Sequence, residues 1–174
     1  MSREEPSILI EPLRPQDLPA VLRVQAETYP PSLVEEEGAL LSRINLTSSY
    51  CLAAKRGDEL VAYLLAHGWS RQSPPQLGAS LKDGVASEVL FVHDLAVSSS
   101  TRGLRVGEKL VARAFELAAR DGLRSAELIA VKGAAGYWRR LGFAEGAASD
   151  QLREKLGTYG AGAQWMTCAI PPVG

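Results

Sequence analysis

The chain has 174 residues, 46% of them hydrophobic, and no run approaching the roughly 18 apolar residues of a membrane span, so a single domain over residues 1–174 is expected and a membrane-spanning protein is not. Nineteen lysines and arginines against 20 aspartates and glutamates leave a net charge of −1, which argues against a dedicated nucleic-acid binder with its basic excess. Cys51 and Cys168 lack metal or redox spacing and are expected as reduced thiols. His67 is expected as a core or strand-end histidine and no metal site is expected. Met1–Pro6 is charged and has no apolar stretch of the kind a signal peptide carries, so a cytoplasmic location is expected.

In chain order, Ser7 to Leu13 alternates as a first strand, ended by Pro15. Asp17 is placed to cap a helix carrying Leu18, Val21, Leu22 and Gln25, and Tyr29-Pro30-Pro31 stops it. Ser32 with Glu35 three residues on reads as a capping box for a second helix. Glu35-Glu36-Glu37 reads either as a solvated first turn or as a source of carboxylates for a cationic amine. Ser49–Lys55 and Glu59–Trp69 read as strands joined by the tight turn Arg56-Gly57-Asp58. Ser70 to Ala86, with Pro74-Pro75, Gly78 and Gly84, is a long polar loop that either contacts substrate or is a disordered insertion.

The stretch Val89 to Leu110 organises the rest. It opens as a strand that is apolar on both faces, as expected when both sides are covered. His93 and Asp94 interrupt it, and two buried polar groups need partners or a task. On a regular strand His93 shares a face with Leu95, and Asp94 points the other way. Ser98–Thr101 forms a polar loop, Arg102-Gly103 and Gly107 follow, and an amphipathic helix runs from Arg105 to Gly122 with Val106, Leu110, Ala114 and Leu117 as its apolar stripe. Strand, glycine turn and helix N-terminus build an anion cradle, because the first helical N–H groups lack internal partners. Three residues separate Gly103 from Gly107 and Glu108-Lys109-Leu110 follows, which excludes a Walker loop. Two glycines rather than three exclude a dinucleotide fingerprint. Leu128–Val131 reads as a buried strand, Ala134–Leu141 as a short helix ended by Gly142, Gly157–Gly162 as a flexible turn, and Gln164–Ile170 as the closing strand.

Leu95-Ala96-Val97 followed by Arg102-Gly103 and Gly107 resembles motif A of the GNAT superfamily of acyl-CoA N-acyltransferases, with Arg105 where the family has its middle glycine. Tyr137-Trp138-Arg139-Arg140-Leu141-Gly142-Phe143 resembles motif B, with Trp138 at the position of the family's tyrosine. His93-Asp94 ahead of Leu95-Ala96-Val97, with Tyr29-Pro30-Pro31 upstream, is similar to a subgroup of that family. The resemblance covers Glu88 to Phe143. It implies an α/β (α+β) fold built on a mixed, mostly antiparallel sheet of six or seven strands with a splayed parallel pair and about four flanking helices. It also implies acetyl-CoA as cosubstrate, with Leu95, Ala96 and Val97 along the pantetheine arm. Arg102, Gly103, Leu104, Arg105, Val106, Gly107 and Glu108 would hold the pyrophosphate, and Trp138 would pack on the coenzyme.

The reaction so implied moves an acetyl group to an amine in a ternary complex, which makes the chain an acyltransferase with no metal. An alkylammonium titrates near ~10 and must lose a proton before attack. His93, whose imidazole titrates near ~6.5, is the preferred base, Asp94 the fallback and Glu88 third. Tyr137 is the candidate acid, since the indole of Trp138 cannot deliver a proton. Tyr29, Glu35 and Glu36 are the candidate acceptor contacts. A small-molecule amine is the favoured acceptor, with a peptide N-terminus or lysine as the alternative and a non-catalytic acetyl-CoA-binding module as the rival class. Nucleic acid and membrane are not expected partners, and a homodimer is compatible with the sequence.

Overall fold

A computed structural model describes residues 7–173, so the charged stretch Met1–Pro6, read above as lacking a leader signal, lies outside the described residues. Strands β1 (Ile8–Pro12), β2 (Leu52–Arg56), β3 (Glu59–Trp69), β4 (Val89–Val97), β5 (Ser125–Ala130), β6 (Ala144–Glu145) and β7 (Gln164–Ala169) form one sheet in the order β1-β2-β3-β4-β5-β7-β6. Every adjacent pair is antiparallel except β4 and β5. This is the mixed sheet with one parallel pair that was expected. Helices α1 (Leu18–Thr28) and α2 (Glu37–Ile44) cover one face, and α3 (Val106–Arg120) and α4 (Ala135–Arg140) cover the other. The last helix, α5 (Asp150–Gly157), capped by the Ser149 hydroxyl, fills the segment before β7 and had not been read from the sequence.

The β4–β5 pairing is short. It spans Leu90–Val92 against Ala126–Leu128, although β4 continues to Val97 and β5 to Ala130. The strands therefore part just past Val92. At the same point β4 carries a bulge: Leu65 of β3 opposes Asp94 and Ala66 opposes Val92, which leaves His93 as the extra residue. A bulge bends its strand and resets which face each side chain takes. Leu90, Val92, Leu95 and Val97 pack toward α3, while Phe91 and Ala96 belong to other clusters on the opposite side. The expectation that His93 shares a face with Leu95 is thereby corrected, because simple alternation fails across the extra residue.

Local chemistry fixes the rest. Gly57 takes a positive φ of 61° in the turn between β2 and β3, as the short connection requires. Asp17 does not cap α1. Its carboxylate accepts from the Arg14 amide at 2.9 Å and pairs with Lys55, closing the turn before the helix. Ser32 caps nothing either, because Pro30-Pro31 enforces a 3-10 turn over Pro31–Leu33 and α2 starts only at Glu37. Glu27, on the last turn of α1, accepts from the amide and hydroxyl of Ser99, both at 2.9 Å, and so braces the loop leading into α3.

Arg105, the residue before α3, adopts the left-handed conformation at φ 55°, ψ 34°. A side chain there costs on the order of 1 kcal/mol that glycine avoids. Arg105→Gly is expected to leave the unfolding free energy unchanged or raise it by up to about 1 kcal/mol, whereas Arg105→Val lowers it by about 1–2 kcal/mol. Urea unfolding of the two variants checks the sign, and a clear loss of stability in Arg105→Gly contradicts it.

Candidate functional site

The parting of β4 from β5 opens a cavity of about 150 Å³. Val92, His93, Asp94 and Leu95 of β4 line one wall, and Leu128 and Ile129 of β5 with Val131 the other. Tyr137 and Trp138 of α4 close it on one side. Tyr29, Leu33 and Glu35 from the α1–α2 connection, Leu77 and Tyr159 close the opposite side. The long segment between β3 and β4 is tied down across this mouth. The Tyr159 hydroxyl donates to the Pro75 carbonyl at 2.9 Å, the Gln72 amide donates to Glu127, and the Leu81 amide donates to the Ser42 hydroxyl at 3.0 Å.

Charged groups gather behind the wall. Glu35, expected in a helical first turn, is instead 5% exposed, because the 3-10 turn ahead of α2 points it inward. One of its carboxylate oxygens takes the His93 Nε2 and the other accepts from the Gly78 amide at 2.9 Å. Gln25 holds the Glu35 backbone on both sides, its amide nitrogen donating to the carbonyl at 3.1 Å and its oxygen accepting from the N–H at 3.0 Å. Burial alone would raise the Glu35 carboxyl, but the His93 hydrogen bond, the Arg43 guanidinium and the Gly78 amide outweigh it and hold the group below its ordinary range. Burial, and after it Arg43, pushes the His93 imidazole below its ordinary 6.5, against the pull of Glu35 and Asp94. An ionised carboxylate can only accept, so Nε2 carries the proton of the neutral ring and Nδ1 is left bare. Nδ1 is buried and has no hydrogen-bond partner among the described residues.

Asp94 faces a different group. The Tyr63 hydroxyl donates to it at 2.6 Å, and Tyr29, whose hydroxyl donates to the Leu95 carbonyl at 2.9 Å, stands beside it. Burial raises the Asp94 carboxyl in spite of these hydroxyls. His67 is fully buried and its imidazole is pushed down to about 3, chiefly by burial, so it is a neutral core residue. Cys51 and Cys168 are free thiols. Among the described residues no three His, Cys, Asp or Glu side chains converge to hold a metal ion, and no helix is long and apolar enough to cross a membrane.

A second cavity, of about 530 Å³, lies at the N-terminus of α3 and is lined by Gly103, Arg105, Glu108, Tyr137, Arg140 and Leu141. The first amide of this helix with a carbonyl partner is Lys109, bonded to Arg105 at 3.1 Å; those of Val106, Gly107 and Glu108 have none among the described residues. Gly103, at φ 86°, and the left-handed Arg105 shape the turn around them. Such amides, at the positive end of a 15-residue helix, suit an anion. Tyr137 borders both cavities. Its hydroxyl stands where a Gly107 side chain would begin, 2.3 Å from an ideal Cβ, so Gly107 is required for the tyrosine to lie against the helix end. That hydroxyl makes no hydrogen bond among the described residues, and burial, with Glu108 near it, raises its pKa and keeps it protonated.

Of the residues singled out from the sequence, Tyr29, Glu35, His93, Asp94, Leu95, Tyr137 and Trp138 meet at the inner cavity, and Gly103, Arg105 and Glu108 at the outer one. Ala96 packs away from it into the α1–α2 core, Val97 and Val106 pack into the α3 core, and Arg102 and Leu104 are exposed on the loop. Glu36 is exposed and borders neither cavity, and Glu88 sits at the strand's start accepting from the Arg71 amide. Arg43, Tyr63, Leu77 and Tyr159 had been missed. Arg43 alone left a trace: it falls on the apolar stripe of α2 with Ala39, Leu40 and Ile44.

Comparison with curated protein sequences gives no match. Among solved structures, the chain superposes on the ribosomal-protein-S18-alanine N-acetyltransferase from Escherichia coli with a TM-score of 0.69 at 14% identity, covering 97% of each chain. The PaiA N-acetyltransferase from Thermoplasma acidophilum, in complex with coenzyme A, gives 0.69 at 14% identity over 94% of this chain and 99% of that one. The loading GNATL domain of CurA from Lyngbya majuscula gives 0.72 at 9% identity over 94% and 98%. At such identities these likenesses speak for the fold. A family model described as the acetyltransferase (GNAT) family matches residues 18–143, which hold every residue lining the two cavities except Tyr159, and the chain therefore belongs to that family.

Proposed function

We propose that the chain is an N-acetyltransferase that transfers the acetyl group of acetyl-CoA to a primary amine of a small molecule, by direct attack in a ternary complex. The observation that carries this reading is the meeting of His93 and Tyr137 at one small cavity, with the free helix-end amides one tyrosine away. Those residues fit the coenzyme: the amides of Val106, Gly107 and Glu108 and the side chain of Arg105 would hold its diphosphate, and the open edge of β4 from His93 to Val97 would receive its arm. When bound, the coenzyme supplies an acyl thioester.

His93 takes the acceptor ammonium's proton at Nδ1, an atom with no accessible surface of its own in this structure, so the proton reaches it through an intervening water, and Glu35 fixes the ring and its tautomer through Nε2. Because Glu35 is ionised and the imidazole is depressed, the base is neutral and ready at physiological pH. Tyr137, protonated and without a partner inside the protein, donates a hydrogen bond to the sulfur as it gains charge. Glu35 and Asp94 make the interior favourable to a cationic amine, and Leu33, Leu77 and Tyr159 exclude water. A volume of about 150 Å³ favours a small amine head. A peptide acceptor is the second reading, supported by the adjoining open cavity of about 640 Å³, which shares Tyr29, Leu33, Val131, Ala134 and Tyr159 with the inner one.

Thiol release from acetyl-CoA, measured over a panel of small amines and a panel of peptides, tests the reading. Turnover on small amines supports it, turnover on peptides alone moves it to the second reading, and tight coenzyme binding without turnover on either panel overturns it. His93→Ala is expected to lower kcat by roughly 10²–10⁴ with acetyl-CoA affinity nearly unchanged. Tyr137→Phe is expected to lower kcat by roughly 10–100-fold, the worth of about 1–3 kcal/mol for a lost donor to a developing charge. The base works only when neutral, so activity is lost as pH falls through the depressed value of the pair. The acid limb of kcat should lie below the ordinary 6.5 of a histidine, and a limb at or above 6.5 contradicts the assignment.

A further inference from the structure

Arg43 is 0% exposed, its guanidinium makes no salt bridge and no hydrogen bond of normal geometry among the described residues, and the one polar group that comes near bonding it is the Tyr159 hydroxyl. The rest of its helix face is Ala39, Leu40 and Ile44, and an apolar side chain of similar length would suit that environment better, because a charge taken from water without hydrogen bonds costs stability. The groups around it are those of the site. Its charge is felt at Glu35, Asp94, Tyr159 and Cys51, and from it at His93 and His67. It is fully buried and lines neither cavity of the site.

We infer that Arg43 is a positioning residue for the reaction: its buried guanidinium keeps Glu35 the anionic partner of the imidazole and so leaves Nδ1 unprotonated as the proton acceptor. The inference rests on the reading of His93 as base. The groups facing the pair come from every neighbouring element. Asp94 comes from β4, Tyr63 and His67 from β3, and Tyr29 from the end of α1. Tyr159 follows α5, Cys51 precedes β2, and Arg43 on α2 is the one permanent cation among them. Glu35 and His93 share a hydrogen bond and titrate as a unit, so a fixed positive charge beside both lowers the proton affinity of the unit as a whole. Without it, a proton enters the pair at higher pH and occupies the position meant for the acceptor's proton.

The test is the pH profile of kcat for wild type, Arg43→Met and Arg43→Lys, joined to an NMR titration of the imidazole in the same proteins. Arg43→Met should move the acid limb up by about one pH unit, a roughly tenfold larger loss at a pH on the limb, with the plateau at higher pH little changed. Arg43→Lys should return the limb toward wild type. A purely structural role lowers kcat equally at all pH and leaves the limb in place, and that result overturns the inference. Should Arg43→Met fail to fold, Arg43→Gln takes its place: an imidazole that titrates higher than in wild type supports the inference, and one that titrates as in wild type, or a wild-type ring already protonated at pH 7, overturns it. The NMR readout does not depend on turnover, so a His93→Ala enzyme as fast as wild type would remove the base assignment while the coupling of Arg43 to the pair would still be measured.

Discussion

A parallel ladder that stops early governs this molecule. β4 and β5 pair only from Leu90 to Val92, and His93, the extra residue of the bulge, sits where the pairing ends. A strand left without its neighbour presents unpaired backbone groups, which in most proteins is a liability. Here the exposed edge lies inside the fold, walled by α4 on one side and the α1–α2 connection on the other. The gap is at once a cavity and a row of hydrogen-bonding positions. The same strand then turns, through a loop braced by Glu27, into a helix whose first amides are free. One break in one ladder therefore aligns a slot, an anion cradle and an imidazole along a single path, with Tyr137 at the junction.

The polar interior is assembled from segments far apart in the chain. Glu35 arrives from a 3-10 turn, His93 from a bulge, Gly78 from the long connection, Arg43 from the buried face of α2 and Tyr159 from beyond α5. Enclosure strengthens each electrostatic contact, since the effective dielectric falls away from water. It also makes unpaired groups costly, and Arg43 and the bare Nδ1 of His93 are such groups. Strain of this kind concentrates at functional sites, where a folding cost is tolerated for the chemistry it permits.

What the sequence disclosed was local. Leu95-Ala96-Val97, the spacing of Gly103 and Gly107, and the amphipathic period of α3 placed strand, turn and helix end without recourse to the rest of the chain. Tyr137 to Phe143 did the same for the other wall. What it hid was nonlocal or broke a period. Alternation along β4 assigned His93 to the face of Leu95, and one inserted residue reversed that. Three consecutive glutamates read as a solvated turn or as carboxylates for a cationic amine without saying which of them turns inward, and it is the two prolines upstream, delaying α2, that send only Glu35 there. The segment between β3 and β4 carries no periodic signal, because it is held by tertiary hydrogen bonds to Glu35, Glu127, Ser42 and Tyr159 rather than by its own repeats.

Amide hydrogen exchange in the presence and absence of acetyl-CoA examines the slot and the cradle together. Added coenzyme should slow exchange in His93–Val97 and in Arg105–Glu108, whose free amides it would engage, and leave Leu90–Val92, already paired with β5, as it was. Unchanged exchange at both segments under saturating acetyl-CoA would mean that neither the parted strands nor the open helix end receives the coenzyme.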